Sequence, residues 1–374
     1  EPDLFGATRA GVGAAEADAR AAQMSLGNVQ ISLAAEIALA YIDLRDQQAR
    51  LTIAERNLAS QDDTLQITRW RQQAGLVSAL DVEQPATSAE QTRAQVPVRQ
   101  AARDQARHRL ALLTGRAPGT LAALGNAPVP LPPDDLVMAF PADTLRQRPD
   151  VQQTEAQVRA AWARLVQADA ARYPTFSLSG SLGLQALTLG GLTAGGAMVR
   201  TLAAGLSLPI FDVGAINATV RAQQAAYEQA RANHQSSVLT ALQDVEDALV
   251  ALQGDRARIG SLQAAASAAE RADALARQQY QAGLIDFATV LTSQRTLLSA
   301  QDSAASVRAS LANDHVALYK ALGGGWAPTS ADSDPATDAS ANANANAGTV
   351  PGADAAPEPT AAIVATPISN AAAR

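Results

Sequence analysis

Apolar residues recur at every seventh position along two long parts of this 374-residue chain. The first series is Ile37, Leu44, Leu51, Leu58 and Leu65, and the second is Val290, Leu297, Ala304, Leu311 and Leu318. Neither glycine nor proline occurs between residues 30 and 74, and no proline occurs between residues 211 and 327. Helices that pack side by side as a coiled coil have this seven-residue period. The pattern therefore predicts long helices in coiled-coil packing, with an ordinary amphipathic bundle helix as the alternative.

The chain carries the same helical pattern twice, at an offset of 208 residues. Gln-Ala-Gly-Leu occupies residues 73–76 and again 281–284. In each copy a long helix ends at this turn, and a shorter helix follows it and stops at a glycine. The long helices are predicted at 7–73 and 215–281, and the shorter ones at 77–114 and 285–322. The two helical hairpin repeats then span residues 6–115 and 214–327.

The predicted helices differ in length. A helix of 67 residues would be about 100 Å long, but a returning helix of about 38 residues would reach only about 57 Å. Another helix is predicted at 150–174, where Pro149 suits the first turn. Together with a shorter helix, end to end, it would nearly match a long one. Pro85 and Pro97 fall inside the first shorter helix and predict a kink there.

Two segments, 175–185 and 201–210, alternate apolar residues with small or polar ones, as strands do when one face is apolar. They predict a β-hairpin within residues 175–213. Its lipid-facing side chains would be Phe176, Leu178, Leu182, Leu184, Leu202, Leu206 and Leu208. A membrane barrel needs this alternation, but a soluble two-stranded ribbon would show it as well. Because lipid tolerates no open sheet edge, a membrane hairpin would need strands from several chains.

The remaining segments are predicted to be connections and ends. Residues 116–149 are rich in proline and predict a connector near the equator of the molecule, and residues 328–374 lack periodicity and predict a disordered tail. Residues 1–5 align with the end of the last strand, so a strand end is expected there. Residues 116–213 precede the second copy, but only five residues precede the first. This difference indicates a chain that is truncated at its N-terminus.

Composition argues against several classes of function. The net charge is −7 and no basic stripe is present, which argues against a nucleic-acid partner. The chain has no cysteine, and its three histidines are too scattered to form a metal signature. No nucleophile elbow, phosphate loop or dinucleotide fingerprint occurs, so we expect neither an enzyme nor a cofactor. No run of about 18 apolar residues predicts a transmembrane helix.

Several motifs resemble the TolC-like outer membrane factors, in particular the efflux-associated outer membrane lipoproteins of the NodT and OprM type. They are PDLFG, RPDV, YPTFSLSGSLG, LSLPIFD, VEDAL, LYKALGGGW and the paired Ala-Gly-Leu turns, and they cover residues 1–326. The resemblance implies a homotrimer with a shared twelve-stranded β-barrel in the outer membrane and a periplasmic α-barrel. It also implies a periplasmic adaptor (membrane fusion) protein and an inner-membrane pump of the RND type as partners. The expected function is a passive conduit that exports drugs or other small molecules.

The resemblance assigns two sites near the turns. The adaptor-docking tips would be Ala74, Gly75, Leu76, Val77, Ser78, Ala282, Gly283, Leu284, Ile285 and Asp286. The periplasmic gate would lie at Asp81, Thr289 and Thr292. The family usually has an aspartate where this chain has Thr292, so we expect an altered acidic constriction, which Asp286 would replace in part. A plain helical turn without a partner is the alternative for the tips.

A different class of function is also compatible with the helical pattern. A soluble periplasmic coiled-coil scaffold or adaptor protein would use the hairpins for docking alone. Adaptors usually carry one long hairpin flanked by lipoyl-like and barrel domains, and no segment here resembles those domains. The conduit is therefore the preferred hypothesis.

Overall fold

The computed structural model describes residues 3–122, 124–132, 146–184 and 198–324. Within these ranges the elements are α1 Ala7–Gln73, α2 Ala79–Leu113, α3 Pro149–Ala170, β1 Thr175–Leu184, β2 Met198–Ser207, α4 Val213–Gln281 and α5 Phe287–Ala321. The predicted fold class, two long helical hairpins with one β-hairpin, is confirmed. The predicted disordered tail at 328–374 and part of the predicted connector lie outside the described residues.

The helices form two antiparallel hairpins, α1 with α2 and α4 with α5. The short helix α3 lies between α1 and α4, in the half of the molecule that is farther from the two turns. α1 also packs against α5, which joins the two hairpins. The 35 residues of α2 and the 22 of α3 together nearly match the 67 of α1. Each half of α1 therefore has a shorter helix beside it.

The seven-residue series lie in the interfaces within the hairpins. Leu44 of α1 is buried with Leu110 of α2, and Leu252 of α4 is buried with Leu318 of α5. Ala89 of α2 exposes no surface at all. Small side chains at such positions let two helix backbones approach closely, so each interface is a narrow, continuous seam.

α2 continues through Pro85 and Pro97, the two residues that predicted a kink. Pro85 is fully buried, whereas Pro97 lies on the exposed side of the helix. Each ring removes one hydrogen bond from the helix. The bend of α2 stays a prediction.

The described part of the connector lies along α1 and α5. The Arg45 guanidinium of α1 donates a hydrogen bond to the Gly125 carbonyl, and Gln48 Nε2 donates to the Leu124 carbonyl at 3.0 Å. Val129 is buried against both helices. Backbone carbonyls of an irregular segment need such donors when they leave water. Polar side chains of α1 therefore fix the connector in place.

Arg148 joins the start of α3 to the second hairpin. Its Nη1 donates to the carbonyls of Ala321 (2.8 Å) and Ala241 (3.3 Å), and its Nη2 lies 2.9 Å from Asp244 Oδ2. A bidentate pair with Asp150 completes the set, at 2.7 and 3.1 Å. Although desolvation opposes it, hydrogen bonding from Arg148 lowers the pKa of the Asp150 carboxyl. One buried cation thus holds three helices together.

Residues 3–5, predicted as a strand end, form no strand in the structure. Asp3 instead caps α1, since its carboxylate accepts hydrogen bonds from the backbone N–H groups of Thr8 (3.3 Å) and Arg9 (2.8 Å). A strand requires a neighbouring strand, and the described sheet consists of β1 and β2 alone. The unpaired N–H groups in the first turn of α1 donate hydrogen bonds to this carboxylate instead.

By length and composition alone, α1 is long and apolar enough to cross a membrane. One 18-residue window reaches a mean hydropathy of 1.2, and 28% of it is buried within the chain. An Ala-rich helix that packs against other helices has the same length and composition.

Replacing Arg148 should destabilise the folded chain strongly. In Arg148→Met, two carboxylates lose their partner and two buried carbonyls lose a donor, so we expect a loss of about 3–5 kcal/mol in unfolding free energy. Arg159→Met on the same helix is the matched control. It removes an exposed pair with Glu155, which contributes about 0–1 kcal/mol. Chemical denaturation of the purified protein measures both, and equal losses would contradict the role given to Arg148.

Candidate functional site

The two helical turns have the same backbone geometry. Gly75 and Gly283 each have φ 74°, in the left-handed region that glycine adopts without strain. The Leu76 N–H donates to the Arg71 carbonyl at 2.9 Å, and the Leu284 N–H makes the corresponding bond one repeat later. This pattern is the Schellman motif, which ends a helix at a glycine. The repeated sequence therefore builds one turn twice.

A leucine is the most exposed apolar side chain at each tip. Leu76 is 71% exposed and Leu284 is 74% exposed, although both are large and apolar. The residues that follow, Val77 and Ile285, are half-buried, and Ile285 packs on the core below its turn. The other predicted docking residues, Ala74, Ser78, Ala282 and Asp286, are exposed together with both glycines. The structure thus places all ten at two tips.

The second helix of each hairpin begins with a different cap. In α2, the Ser78 N–H and hydroxyl both donate to Asp81 Oδ2 at 2.8 Å, and Ser78 Oγ accepts from the Asp81 N–H. In α5 the carboxylate comes first and the hydroxyl three residues later. Asp286 accepts hydrogen bonds from the N–H (3.0 Å) and the hydroxyl (2.6 Å) of Thr289. Carboxylate and hydroxyl have swapped places between the copies. Each tip nevertheless keeps one carboxylate.

Hydrogen bonds favour the ionised form of both of these carboxyl groups. Hydrogen bonds from the Ser78 hydroxyl and N–H lower the pKa of Asp81. The Thr289 hydroxyl and N–H do the same for Asp286. A lowered pKa in the folded chain means that the caps are intact above about pH 4, the ordinary range of aspartate, and weaken only as pH falls below it.

The predicted gate residues of the second copy are neutral and locally bonded. The Thr292 hydroxyl donates to the Ala288 carbonyl at 2.9 Å, and Thr296 repeats this bond to Thr292. These threonines and neighbouring alanines line a shallow groove between α4 and α5. The acidic side chains nearest this end are therefore the two capping carboxylates, and the gate itself stays a prediction.

Side chains also join the two hairpins just above the tips. Arg71 Nη1 of α1 donates to the Tyr280 carbonyl of α4 at 2.8 Å, and its guanidinium lies 5.1 Å from the centroid of the Tyr280 ring. Thr68 Oγ1 lies 3.0 Å from the Tyr280 hydroxyl. Sequence reasoning missed these residues, because pairing across 212 positions leaves no local signal. The one available hint is the row of polar residues at helical spacing on α1, of which Thr68 is the last.

The β-hairpin brings six of the seven predicted lipid-facing residues onto one face. Phe176 is paired with Leu206, and Leu178 with Ala204. Leu182 lies on the same face because side chains alternate along a strand. Leu184 is the last residue of β1. Leu202 joins them opposite Gly180, and Leu208 follows just after β2 ends. The other face carries serines, glycines, threonines and Ala203, together with the exposed Val199.

This apolar face is uncovered in the single chain. Leu178, Leu182, Leu202 and Leu206 are each more than 60% exposed. Arg200 interrupts the face opposite Leu182, close to the loop end of the hairpin. An apolar surface of this kind marks contact with lipid or with another protein. Both edges of the two-stranded sheet also lack a neighbouring strand among the described residues.

The described ranges contain no group of three or more side chains of His, Cys, Asp or Glu that could hold a metal ion. His234 contacts the Thr154 hydroxyl at 3.0 Å, and His315 contacts the Leu311 carbonyl. These two histidines therefore have packing roles between or within helices.

Comparison with known proteins agrees with this architecture. The sequence profile of the family described as outer membrane efflux protein matches residues 3–116 and 140–324. The probable efflux pump outer membrane protein SepC of Pseudomonas putida is 34% identical over 336 residues, covering 87% of this chain and 68% of that protein. Nodulation protein T of Rhizobium leguminosarum is 32% identical over 327 residues, covering 87% and 68%.

Solved structures agree as well. The outer-membrane channel OprN superposes with a TM-score of 0.82 at 34% identity, covering 87% of this chain and 73% of that one. The open state of the Neisseria gonorrhoeae MtrE outer membrane channel gives 0.79 at 29% identity, covering 86% and 73%. SepC is named as an efflux pump protein, and OprN and MtrE are named as outer-membrane channels. The resemblance to TolC-like outer membrane factors is confirmed: the chain belongs to the outer membrane efflux protein family and is the outer-membrane channel component of an efflux system.

Proposed function

We propose that three copies of the protein assemble into one conduit, with a shared β-barrel in the outer membrane and a helical tube in the periplasm. The uncovered apolar face of the β-hairpin carries this proposal. Two strands cannot satisfy their own edges in lipid, where each unpaired backbone group costs several kcal/mol. Strands contributed by several copies remove those edges and place the leucine face against lipid.

The helical part supports the same assembly. On α4, His234 touches Thr154 of α3 and Ala241 is fully buried. The corresponding positions on α1, 208 residues earlier, are Leu26 and Leu33, and both are exposed. The helix face that α3 covers on α4 is therefore exposed at the corresponding positions of α1. Another helix must lie on it, as expected for one segment of a closed ring.

The trimeric conduit is tested by electron microscopy of the protein purified from membranes in detergent. We expect ring-shaped particles with three-fold symmetry, a central channel and a tube about 100 Å long, the length of α1. A monomer or a filled bundle would overturn the proposal. Recovery of the intact protein in the aqueous fraction would instead favour the soluble scaffold, the alternative that the family assignment does not favour.

We further propose that the tips bind a periplasmic adaptor protein, which joins the conduit to an inner-membrane pump of the RND type. Leu76 and Leu284 support this, because an exposed leucine on a rigid turn is an anchor for the apolar stripe of a partner helix. The Schellman geometry holds both leucines in similar orientations. Three chains would present six such anchors, and the pump would select the small molecule that is exported.

The double variant Leu76→Ser with Leu284→Ser should lose adaptor binding but still assemble. Each buried leucine contributes about 1.5–3 kcal/mol, so we expect adaptor affinity to fall at least tenfold and export to fall with it. Adaptor binding by calorimetry and drug resistance in cells measure these effects. Val98→Ser, an equally exposed change on the middle of α2, is the control. Unchanged affinity in the double variant would remove the docking role of the leucines.

We also propose that Asp81 narrows the periplasmic end electrostatically, together with Asp286. A carboxylate held ionised at a constriction attracts cations and slows their passage. The second copy has Thr289 and Thr292 instead of acids, so each chain contributes fewer charges than the family pattern would give.

Asp81→Asn should reduce block by divalent cations or raise single-channel conductance in planar bilayers. Asparagine can still accept the hydrogen bonds from Ser78, so the cap is preserved while the charge is removed. Asp62→Asn, which removes a charge paired with Arg93 on the side of the first hairpin, should leave the recordings unchanged. Traces of Asp81→Asn that match those of the unaltered protein would exclude Asp81 from the gate.

A further inference from the structure

The two hairpins differ inside, about two turns above their tips. In the first, Leu65 is buried with Val82 and Ala89 of α2. In the second, Asp273 occupies the position that corresponds to Leu65, 208 residues later. The same helical architecture therefore forms with an apolar residue at this position. The fold does not require the carboxyl group of Asp273.

Asp273 is fully buried, a rare state for an aspartate. Its Oδ2 lies 2.7 Å from Nη2 of Arg277, one turn further along α4. Neither carboxylate oxygen receives a hydrogen bond of good geometry. A buried carboxylate usually accepts two or more hydrogen bonds, so this one is poorly compensated for the loss of water.

The surroundings supply little further compensation. Gln294 of α5 is buried, and its two amide atoms lack hydrogen-bond partners among the described residues. The face of α1 that meets the second hairpin carries the buried, uncharged residues Asn57, Gln61, Thr64 and Thr68. Nearer the tip the same face carries one charge, the Arg71 guanidinium, which lies over the Tyr280 ring and bonds the Tyr280 carbonyl. The buried face of α5 carries Phe287, Val290, Gln294 and Leu297, also uncharged. On α4 itself, Tyr280 is the other titratable group at this buried face, and Arg277 is the charge that acts on Asp273.

Arg277 connects this buried group to the first hairpin. Its Nη1 donates to Ser60 Oγ of α1 at 2.8 Å, while its Nη2 faces Asp273. About a third of the Arg277 side chain remains in contact with water. The guanidinium therefore keeps its hydration and its bond to Ser60 even when the charge on Asp273 is absent.

From these contacts we propose that Asp273 is a proton-linked latch of the second hairpin. When its carboxyl group is protonated, the lower part of α4 packs tightly against α5 and keeps its side-chain contacts with α1. When it is ionised, this part of the hairpin loosens more often, and water then reaches the carboxylate. The first hairpin has leucine at the corresponding position and does not respond.

The direction of the effect follows from linkage. Desolvation raises the pKa of Asp273 in the packed chain, and the charge of Arg277 opposes this only in part. A raised pKa means that the packed state binds the proton more tightly than the loosened state does. Its contribution to stability is complete below about pH 4, where a hydrated aspartate is protonated, and is lost as pH rises through the raised value. The tip caps titrate below this window and do not interfere.

Hydrogen exchange of the purified, assembled protein between about pH 4 and pH 8 tests the latch, after correction for the intrinsic rates. The amides of 273–281 are compared with those of 65–73, the corresponding segment of the first hairpin. We expect the protection of 273–281 relative to 65–73 to fall with rising pH, by up to about tenfold for each unit by which the pKa differs between the two states. Asp273→Asn should keep high protection at every pH.

Two further variants make the result decisive. Asp273→Leu, which copies the first hairpin, should also lack the pH response, and it serves in place of Asp273→Asn if that variant misfolds. Asp62→Asn removes an exposed carboxylate of the first hairpin and should respond like the unaltered protein. A pH response that survives in Asp273→Leu, or no response in the unaltered protein, would overturn the latch.

We expect the loosening to change the width of the conduit. This step rests on the proposed function, so conductance is recorded separately over the same pH range. If the protein conducts but its hydrogen exchange does not respond to pH, the conduit stands and the latch is excluded. If hydrogen exchange responds to pH but no conductance is recorded, the latch stands and the conduit is excluded. If both hold, we expect conductance to rise with pH in the unaltered protein and to be constant in Asp273→Asn.

Discussion

The whole architecture depends on close packing along narrow helical seams. A helix of 67 or 69 residues with few large side chains has too little apolar surface on any one face to be stable alone. Leucine every seventh residue, with alanine at the closest approaches, lets shorter helices lie against it along its full length. Apolar burial therefore follows the helix seams, and the described residues form several small clusters instead of one wide core.

Packing along seams leaves edges. A compact globular core can enclose its apolar surface, but a layer of antiparallel helices leaves an open stripe on each side. Leu26 and Leu33 on α1 mark such an edge, and the leucine face of β1 and β2 marks another. In the proposed trimer, neighbouring copies would cover both kinds of edge. The contacts that close the proposed tube would then also remove these apolar surfaces from water.

Duplication has preserved geometry while side-chain chemistry has diverged. The two turns share one backbone conformation, yet the capping carboxylate and hydroxyl have exchanged positions between Ser78–Asp81 and Asp286–Thr289. Leu65 and Asp273 occupy corresponding positions with opposite polarity. Because the first copy demonstrates what the fold alone needs, each such difference in the second copy is a candidate for function.

The sequence by itself determined the helix lengths, the two turns and the alternating face of the β-hairpin. These features are periodic or local: a seven-residue repeat, a glycine in the left-handed region, and side chains that alternate along a strand. It also pointed to the family through motifs in order. Only the tertiary structure decided that Arg71 meets Tyr280, that Arg148 ties three helices together, that Asp3 caps a helix, and that Asp273 is buried without hydrogen bonds. Those outcomes depend on how helices far apart in sequence are rotated and aligned against one another, and no local pattern encodes that register.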